Sequence, residues 1–187
     1  MPASSQRPTP LLGLWRPQAL GYSEFMFDVL VYLYENYWRP DACPEPQQLR
    51  RKLSAVGFEP DEIQDALRWL AGLAHSADGV TGSQAAASMR IYTEDEQEAL
   101  GVDSIGFISF LESAGRLPPP MREMVIDRAT AIGGGPIDLD DLKVIVLMVF
   151  WSLGEEPDAL ILDELFVAPR GSTHTLRRRA QIGRAHV

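Results

Sequence analysis

The chain has 187 residues, which is room for one ordinary domain with tails. Hydrophobic residues make up 45% of the sequence and charged residues 23%, values that are typical of a globular chain and that exclude a collagen-like or mainly disordered protein. Because Cys43 is the one cysteine, the chain cannot form an intrachain disulfide or a cysteine-rich zinc site, and a reducing compartment is compatible with this composition.

The formal charge of −9 is unevenly spread along the chain. Residues 26–168 contain 25 acidic and 10 basic side chains, a net −15, whereas the two ends hold seven of the 17 basic residues. A protein that coats DNA neutralises phosphates with lysine and arginine, so an acidic body argues against that class.

The two ends of the chain lack the periodicity of the body. Residues 1–25 contain four prolines and no sustained apolar period, so we expect a disordered N-terminal extension, with Met26 as an alternative start. The apolar run 11–15 is too short for a signal-peptide core or a membrane span. Residues 169–187 are predicted to be a disordered tail, of which 181–187 resemble a translated sequencing adapter and are excluded from the fold.

The first part of the body predicts three amphipathic helices. Residues 26–38 form the first, which ends before Pro40 and whose apolar stripe is Phe27, Leu30, Val31, Tyr34 and Trp38. Helices over 46–55 and 60–75 follow, separated by Gly57, which suits a left-handed helix stop. This order of helix, glycine turn and helix is the local pattern of a helix-turn-helix. Residues 78–88 are predicted to be a loop.

A change of pattern follows this helix pair. Residues 88–93 alternate and are rich in strand formers, so they predict a short strand that would serve as a wing beside the helix pair. Thr93 and Glu96 have the spacing of a capping box, which starts a helix that continues through 103–114.

Two further helices complete the body. One is predicted over 121–132, after three consecutive prolines, and the other over 138–153, with Asp138 as its N-cap. Residues 144–151 are apolar throughout, so the last helix is predicted to be buried on most sides, and 157–167 add an amphipathic turn or two. These patterns predict a mainly α fold, with a compact helical domain over 26–168 that contains at most one or two short strands. One possible arrangement has a winged-helix-like N-terminal half.

Several sequence blocks carry a resemblance to the bacterial Smg family. In chain order they are MFDVLVYLYENYW, GFEPDEIQDALRWL, MRIYT, GFISFLE, REMVIDRA and DLDDLKVIVLMVF. The match follows the order of these blocks from Met26 to about Phe166. Both tails lie outside the family pattern, and the loop at 78–87 and the glycine run at 133–135 depart from it. The resemblance implies a small cytoplasmic protein of unassigned biochemical role, whose gene often lies near those for a DNA-processing protein and a topoisomerase. It supplies no catalytic or binding residues.

The residues themselves point to no enzyme, metal or cofactor site. His75 lies in the last turn of a predicted helix, where it can bond free carbonyls, and the other two histidines lie in the tail. Asp138, Asp140 and Asp141 fit helix capping and lack the pattern of a calcium-binding loop. The glycine run at 133–135 lacks the lysine of a phosphate loop. We therefore predict a protein that is not an enzyme and that uses no cofactor.

Two functional hypotheses remain. The leading one is a cytoplasmic protein-interaction or regulatory module, loosely linked to DNA processing, whose unidentified partner is a protein such as a nucleic-acid-processing enzyme with a basic surface. Its candidate contact residues are Tyr32, Trp69 and Trp151, and for each of them core packing is the favoured alternative.

The second hypothesis is a helix-turn-helix-type nucleic-acid-binding protein. Its candidate residues are Arg50, Arg51, Lys52, Arg68 and Arg90, some of which a winged helix would place near phosphate. The start of the third helix carries Glu59, Asp61 and Glu62, which would repel phosphate, so this hypothesis ranks second. The sequence leaves the partner and the oligomeric state open.

Overall fold

The structure, a computed structural model, describes residues 25–37, 39–79, 90–157 and 162. These residues contain a short 3-10 turn at Pro40–Ala42 and no strand. Six α-helices occur within them: α1 Met26–Asn36, α2 Pro46–Val56, α3 Pro60–Gly79, α4 Glu94–Ser113, α5 Pro119–Thr130 and α6 Leu139–Ser152. The prediction of a mainly α fold is confirmed.

The predicted strand over 88–93 is not formed where the structure describes it. Residues 90–93 are irregular, and 88 and 89 lie outside the described residues. The reason is local: Thr93 is the N-cap of α4, and Arg90 bonds to the Glu96 side chain in the first turn of that helix. The segment is thus tied to a helix start, and the described residues give a winged helix no support.

Some predictions fall partly or wholly outside the described residues. These are the extension at 1–25, the tail at 169–187 and most of the final turn at 157–167. The helix α3 continues to Gly79, two residues into the predicted loop, whose other residues lie outside the described part of the chain, as does Trp38 of the first predicted stripe.

The helix α1 is buried more broadly than its predicted stripe. Its buried side chains are Met26, Phe27, Val29, Leu30 and Leu33, whereas Val31 and Tyr34 are half-buried. The helix contacts both α3 and α6, so two neighbours cover it and no single narrow stripe defines its inner side.

The turn between α2 and α3 has the predicted form. Gly57 has a φ of +108°, in the left-handed region, and the Phe58 amide donates to the Leu53 carbonyl at 3.2 Å. The helix α2 packs against α3 through buried Leu49 and Leu53. The prediction of helix, glycine turn and helix is therefore confirmed.

The helix α6 is the centre of the core. It contacts α1, α3, α4 and α5, and every residue from 145 to 151 is buried, as predicted. Burial of each large apolar side chain is worth about 1.5–3 kcal/mol, so this helix contributes strongly to folding. Its N-terminus is capped by Asp138, whose side chain accepts from the Asp140 amide at 2.9 Å.

The helix α4 consists of two segments that meet at Gly101. This glycine has φ +73° and ψ 169°, which breaks the helix between 94–100 and 102–113. The break leaves the Ala99 carbonyl open to the chain before α6, and the Ile137 amide donates to it at 2.9 Å. The buried Ser104 hydroxyl donates to the Ile137 carbonyl at 3.4 Å, so the kink is held by the α5–α6 connection.

Candidate interaction surface

A network of charged side chains joins the start of α4 to α5. The Arg90 guanidinium bonds both carboxylate oxygens of Glu96, at 2.6 and 2.8 Å, and also reaches Glu123 at 3.0 Å. On the other side of Glu123, the buried Arg122 pairs with it at 2.7 Å and also pairs with Glu112. Two arginines and three carboxylates thus form one network of charge-assisted hydrogen bonds with a net charge of −1.

The ionisation of this network follows from its contacts. Hydrogen bonds from Arg90 lower the pKa of Glu96 from 4.5 to about 2, and the same bonds raise the pKa of Arg90. Burial raises the pKa of Glu123, but hydrogen bonds from Arg90 and Arg122 outweigh it and leave that pKa lowered. All three groups are therefore charged at neutral pH.

This network places Arg90 apart from the other basic candidates. Its side chain is 17% exposed, and its donors are aimed at two carboxylates and at the Ile91 carbonyl. An arginine held in this way positions the start of α4 and is poorly placed to contact phosphate.

The cations of α2 are three consecutive exposed basic residues. Arg50, Arg51 and Lys52 are all exposed, and within the described residues none of them forms an ion pair. The Lys52 ammonium lies 5.9 Å from the centroid of the Tyr37 ring. Arg68 is on α3, where its side chain is 56% exposed and pairs with Asp65 at 3.0 Å.

The two tryptophans proposed as contact residues belong to the core. Trp69 is fully buried, and its indole N–H donates to the Arg128 carbonyl at 3.2 Å. Trp151 is also buried, and its indole N–H donates to the Tyr37 carbonyl at 2.6 Å. The indole N–H of each tryptophan thus has an acceptor inside the fold. Both residues pack in the core, which is the favoured alternative, and neither presents a contact surface in this structure.

Tyr32 is half-buried, with its ring edge-on to Phe58 at a centroid distance of 5.6 Å. It is thus the one aromatic of the three candidates that keeps an accessible part.

The most exposed apolar side chains lie on and before α4. Among the described residues Ile91 is 83% exposed, Val102 87% and Phe110 52%. Val102, Gly106 and Phe110 are four residues apart in the second segment of α4, so they follow one side of that helix. A Cβ at Gly106 would meet nothing within 4 Å, so the space above it is open.

Four carboxylates of α4 accompany these apolar residues, three in the first segment and one at the start of the second. Glu94, Asp95, Glu98 and Asp103 are exposed, and none of them forms an ion pair within the described part of the chain. We call the exposed residues of α4 that combine charge and apolar surface the α4 surface: Glu94, Asp95, Glu98, Val102, Asp103, Gly106 and Phe110.

Sequence reasoning missed this surface, although a pattern for it exists. The apolar positions Ile105, Phe107, Ile108 and Leu111 predict the inner stripe of this helix, and Phe110 lies outside that stripe. A large apolar residue among small and acidic ones at helical spacing is the feature that could have revealed it.

Within the described residues, no group of histidine, cysteine, aspartate or glutamate side chains is arranged to hold a metal ion. None of the described helices is both long and apolar enough to cross a membrane.

The fold and the surface together define a class of protein, a helical domain with an acidic and partly apolar outer surface. Residues 26–174 match the family described as "Protein of unknown function (DUF494)". Proteins named "Protein Smg homolog" resemble the chain closely. The one from Methylibium petroleiphilum is 72% identical and the one from Leptothrix cholodnii 71%, each over 142 residues, 76% of this chain and 95% of the relative.

A third relative of the same name, from Herminiimonas arsenicoxydans, is 56% identical over 147 residues, 76% of this chain and 93% of the relative. The chain belongs to the Smg family, as its sequence blocks indicate. No solved structure significantly matches the chain.

Proposed function

We propose that this protein is a non-enzymatic docking module of the bacterial cytoplasm that binds other proteins through its acidic surface and is loosely linked to DNA processing. The observation that supports the proposal is the α4 surface, where Val102 and Phe110 are exposed on the same helix as four carboxylates for which the described residues provide no counter-ion. Exposed apolar side chains that are rimmed by polar groups are typical of protein–protein contact sites.

The charge of the body favours a protein partner with a basic surface. Residues 26–168 carry a net −15, so their field attracts positive surfaces and speeds their encounter with the protein. The same field repels the phosphates of nucleic acid from the α4 surface.

The proposal is tested by capture from bacterial lysate on the tagged full chain, with and without nuclease. The informative variant neutralises three carboxylates by Asp95→Asn, Glu98→Gln and Asp103→Asn. A matched control neutralises three other exposed carboxylates, those of Asp41, Glu155 and Glu156. We expect protein partners that resist nuclease, that bind the wild type and the control, and that the α4 variant does not retain. Partners that disappear with nuclease would contradict a protein-docking role.

A second function, nucleic-acid binding, is favoured by one observation. Arg50, Arg51 and Lys52 present three exposed cations on α2 that no described carboxylate neutralises. If all three contact phosphate, affinity for duplex DNA falls with salt with a log–log slope of about −2.7.

The test of this second function measures anisotropy of labelled DNA against salt, for the wild type and for the triple glutamine variant of these residues. Arg90→Gln is the comparison, because Arg90 is held by Glu96 and Glu123. Binding that the triple variant leaves unchanged would remove this candidate.

A further inference from the structure

The second segment of α4 has the form of a docking strip. Val102, Gly106 and Phe110 follow one another at intervals of four residues, with a glycine between two exposed apolar side chains. Because the space above Gly106 is open, the backbone of a partner helix can approach α4 closely at this point.

The charges of the strip are concentrated at one end. Glu94, Asp95 and Glu98 lie in the first segment, and Asp103 lies at the start of the second. The helix dipole accounts for Glu94 and Asp95 in the first turn, but not for Glu98, which lies beyond it. Between residues 94 and 103 the sequence has five acidic and no basic residues, and Arg90 pairs with one of the five, Glu96. The other four leave the N-terminal part of α4 negative, whereas Phe110 is exposed in its C-terminal part.

We propose that the α4 surface binds an amphipathic helix of a partner protein that is apolar along one side and carries lysine or arginine at one end. Its apolar side chains cover Val102 and Phe110 on either side of Gly106, and its cations face Glu98 and Asp103. This inference rests on the proposed docking function and adds the surface and the kind of partner. Helix-in-groove recognition uses the same combination of apolar anchors at helical spacing and flanking charge.

Charge complementarity favours this occupant over a second copy of the chain and over nucleic acid. A second copy, placed antiparallel with the two Gly106 residues together, would cover Val102 with Phe110. Its nearest described cation would be Arg116, a single charge that already has an interaction of its own, set against four carboxylates. Nucleic acid would bring phosphates to a negative helix end, which like charge opposes. Only a cationic amphipathic segment satisfies both halves of the surface.

The experiment uses the full chain and defined peptides, so it does not depend on an unidentified partner. The probe is a fluorescein-labelled leucine–lysine helix of about 18 residues, with leucine along one side, lysine on the polar side of one half and glutamine on the polar side of the other half. A scrambled peptide of the same composition and a leucine–glutamate helix are the peptide controls. The dissociation constant is measured by anisotropy at about 50 and 500 mM salt, a range that changes the screening of exposed charges.

Two single substitutions test the two halves of the surface. Gly106→Gln fills the open space at the centre of the strip, and Glu98→Lys reverses a charge outside the capped first turn. Their matched controls are Ala71→Gln, on the exposed side of α3, and Glu155→Lys, on the exposed chain after α6. Melting temperatures and sedimentation of all variants are recorded, so that loss of folding and self-association are seen directly.

We expect the leucine–lysine helix to bind more tightly than either control peptide, and each α4 substitution to weaken binding at least about tenfold while its matched control leaves it unchanged. Equal binding by the α4 variants and their controls would overturn the inference, yet would leave a docking function elsewhere on the acidic body intact. Self-association of the wild type that Gly106→Gln abolishes would also overturn it, because a second copy would then cover the surface. If the peptide does not bind but the lysate capture succeeds, the kind of partner is wrong and the proposed function stands.

Discussion

Removal of the Arg90 cation tests the physical account of the charge network. In Arg90→Met the apolar part of the side chain is kept, while Glu96 loses a bidentate partner at 2.6 and 2.8 Å. Glu123 retains Arg122 at 2.7 Å, and the Glu96 side chain still accepts from the Thr93 amide at 2.8 Å. No carboxylate is left buried without a donor, so the cost stays well below that of a broken, fully buried ion pair.

The expected loss of stability in Arg90→Met follows from the lowered pKa of Glu96. A fall in pKa from 4.5 to about 2 corresponds to ~3 kcal/mol of stability if it is fully expressed. Water reaches this pair, because the Glu96 side chain is 21% exposed, and screening reduces the expected effect to ~1–2 kcal/mol. Since the folded-state pKa lies below the unfolded one, the stabilisation is complete above pH 4.5 and is lost as the pH falls toward about 2.

The assay is urea unfolding followed by tryptophan fluorescence, repeated at pH values between about 7 and 3. We expect Arg90→Met to be less stable than the wild type at neutral pH, with a difference that narrows as Glu96 is protonated. The control is Arg68→Met, whose side chain is 56% exposed and pairs with Asp65, and which should change stability by less than about 0.5 kcal/mol. A difference that stays constant with pH, or that Arg68→Met reproduces, would refute an ion-pair origin.

Two further predictions concern glycines and the thiol. Gly101→Ala should destabilise the fold by about 1–3 kcal/mol, because φ +73° is strained for alanine and the new Cβ would lie 3.1 Å from the Pro136 side chain. Gly106→Ala should instead stabilise the fold by about 0.5–1 kcal/mol, because Gly106 is helical and the space around it is open. Thermal unfolding of both variants checks this, and shifts in the same direction would be inconsistent with the two environments. Burial raises the pKa of Cys43, so its reaction with a disulfide reagent near neutral pH should be several-fold slower in the folded chain than in urea, and equal rates would show that the thiol is freely accessible.

The features predicted well from the sequence are those that depend on near neighbours. The capping box of Thr93 and Glu96, the N-cap at Asp138 and the left-handed stop at Gly57 all form as expected. Each involves residues within a few positions of one another, so the sequence contains the whole interaction.

The features missed depend on contacts between distant parts of the chain. Arg90 was grouped with the basic surface, but its partner Glu123 lies 33 residues away on α5. The kink in α4 depends on the Ile137 amide, which bonds the Ala99 carbonyl from the other side of α5. The sequence predicts one helix that continues from its cap at Thr93 through 103–114, so it does not show that the acidic and apolar parts of the α4 surface belong to two segments.

The hydrogen bond from Trp151 to the Tyr37 carbonyl joins residues 114 positions apart, so it can form only late in the synthesis of the chain. The helix α1 leaves the ribosome first, and α6, which packs against it, leaves last among the six described helices. At about 5–20 residues per second, translation separates the two by roughly 6 to 23 s. Throughout that interval the apolar side of α1 lacks its final cover, so the nascent chain is a substrate for chaperones until the last helix emerges.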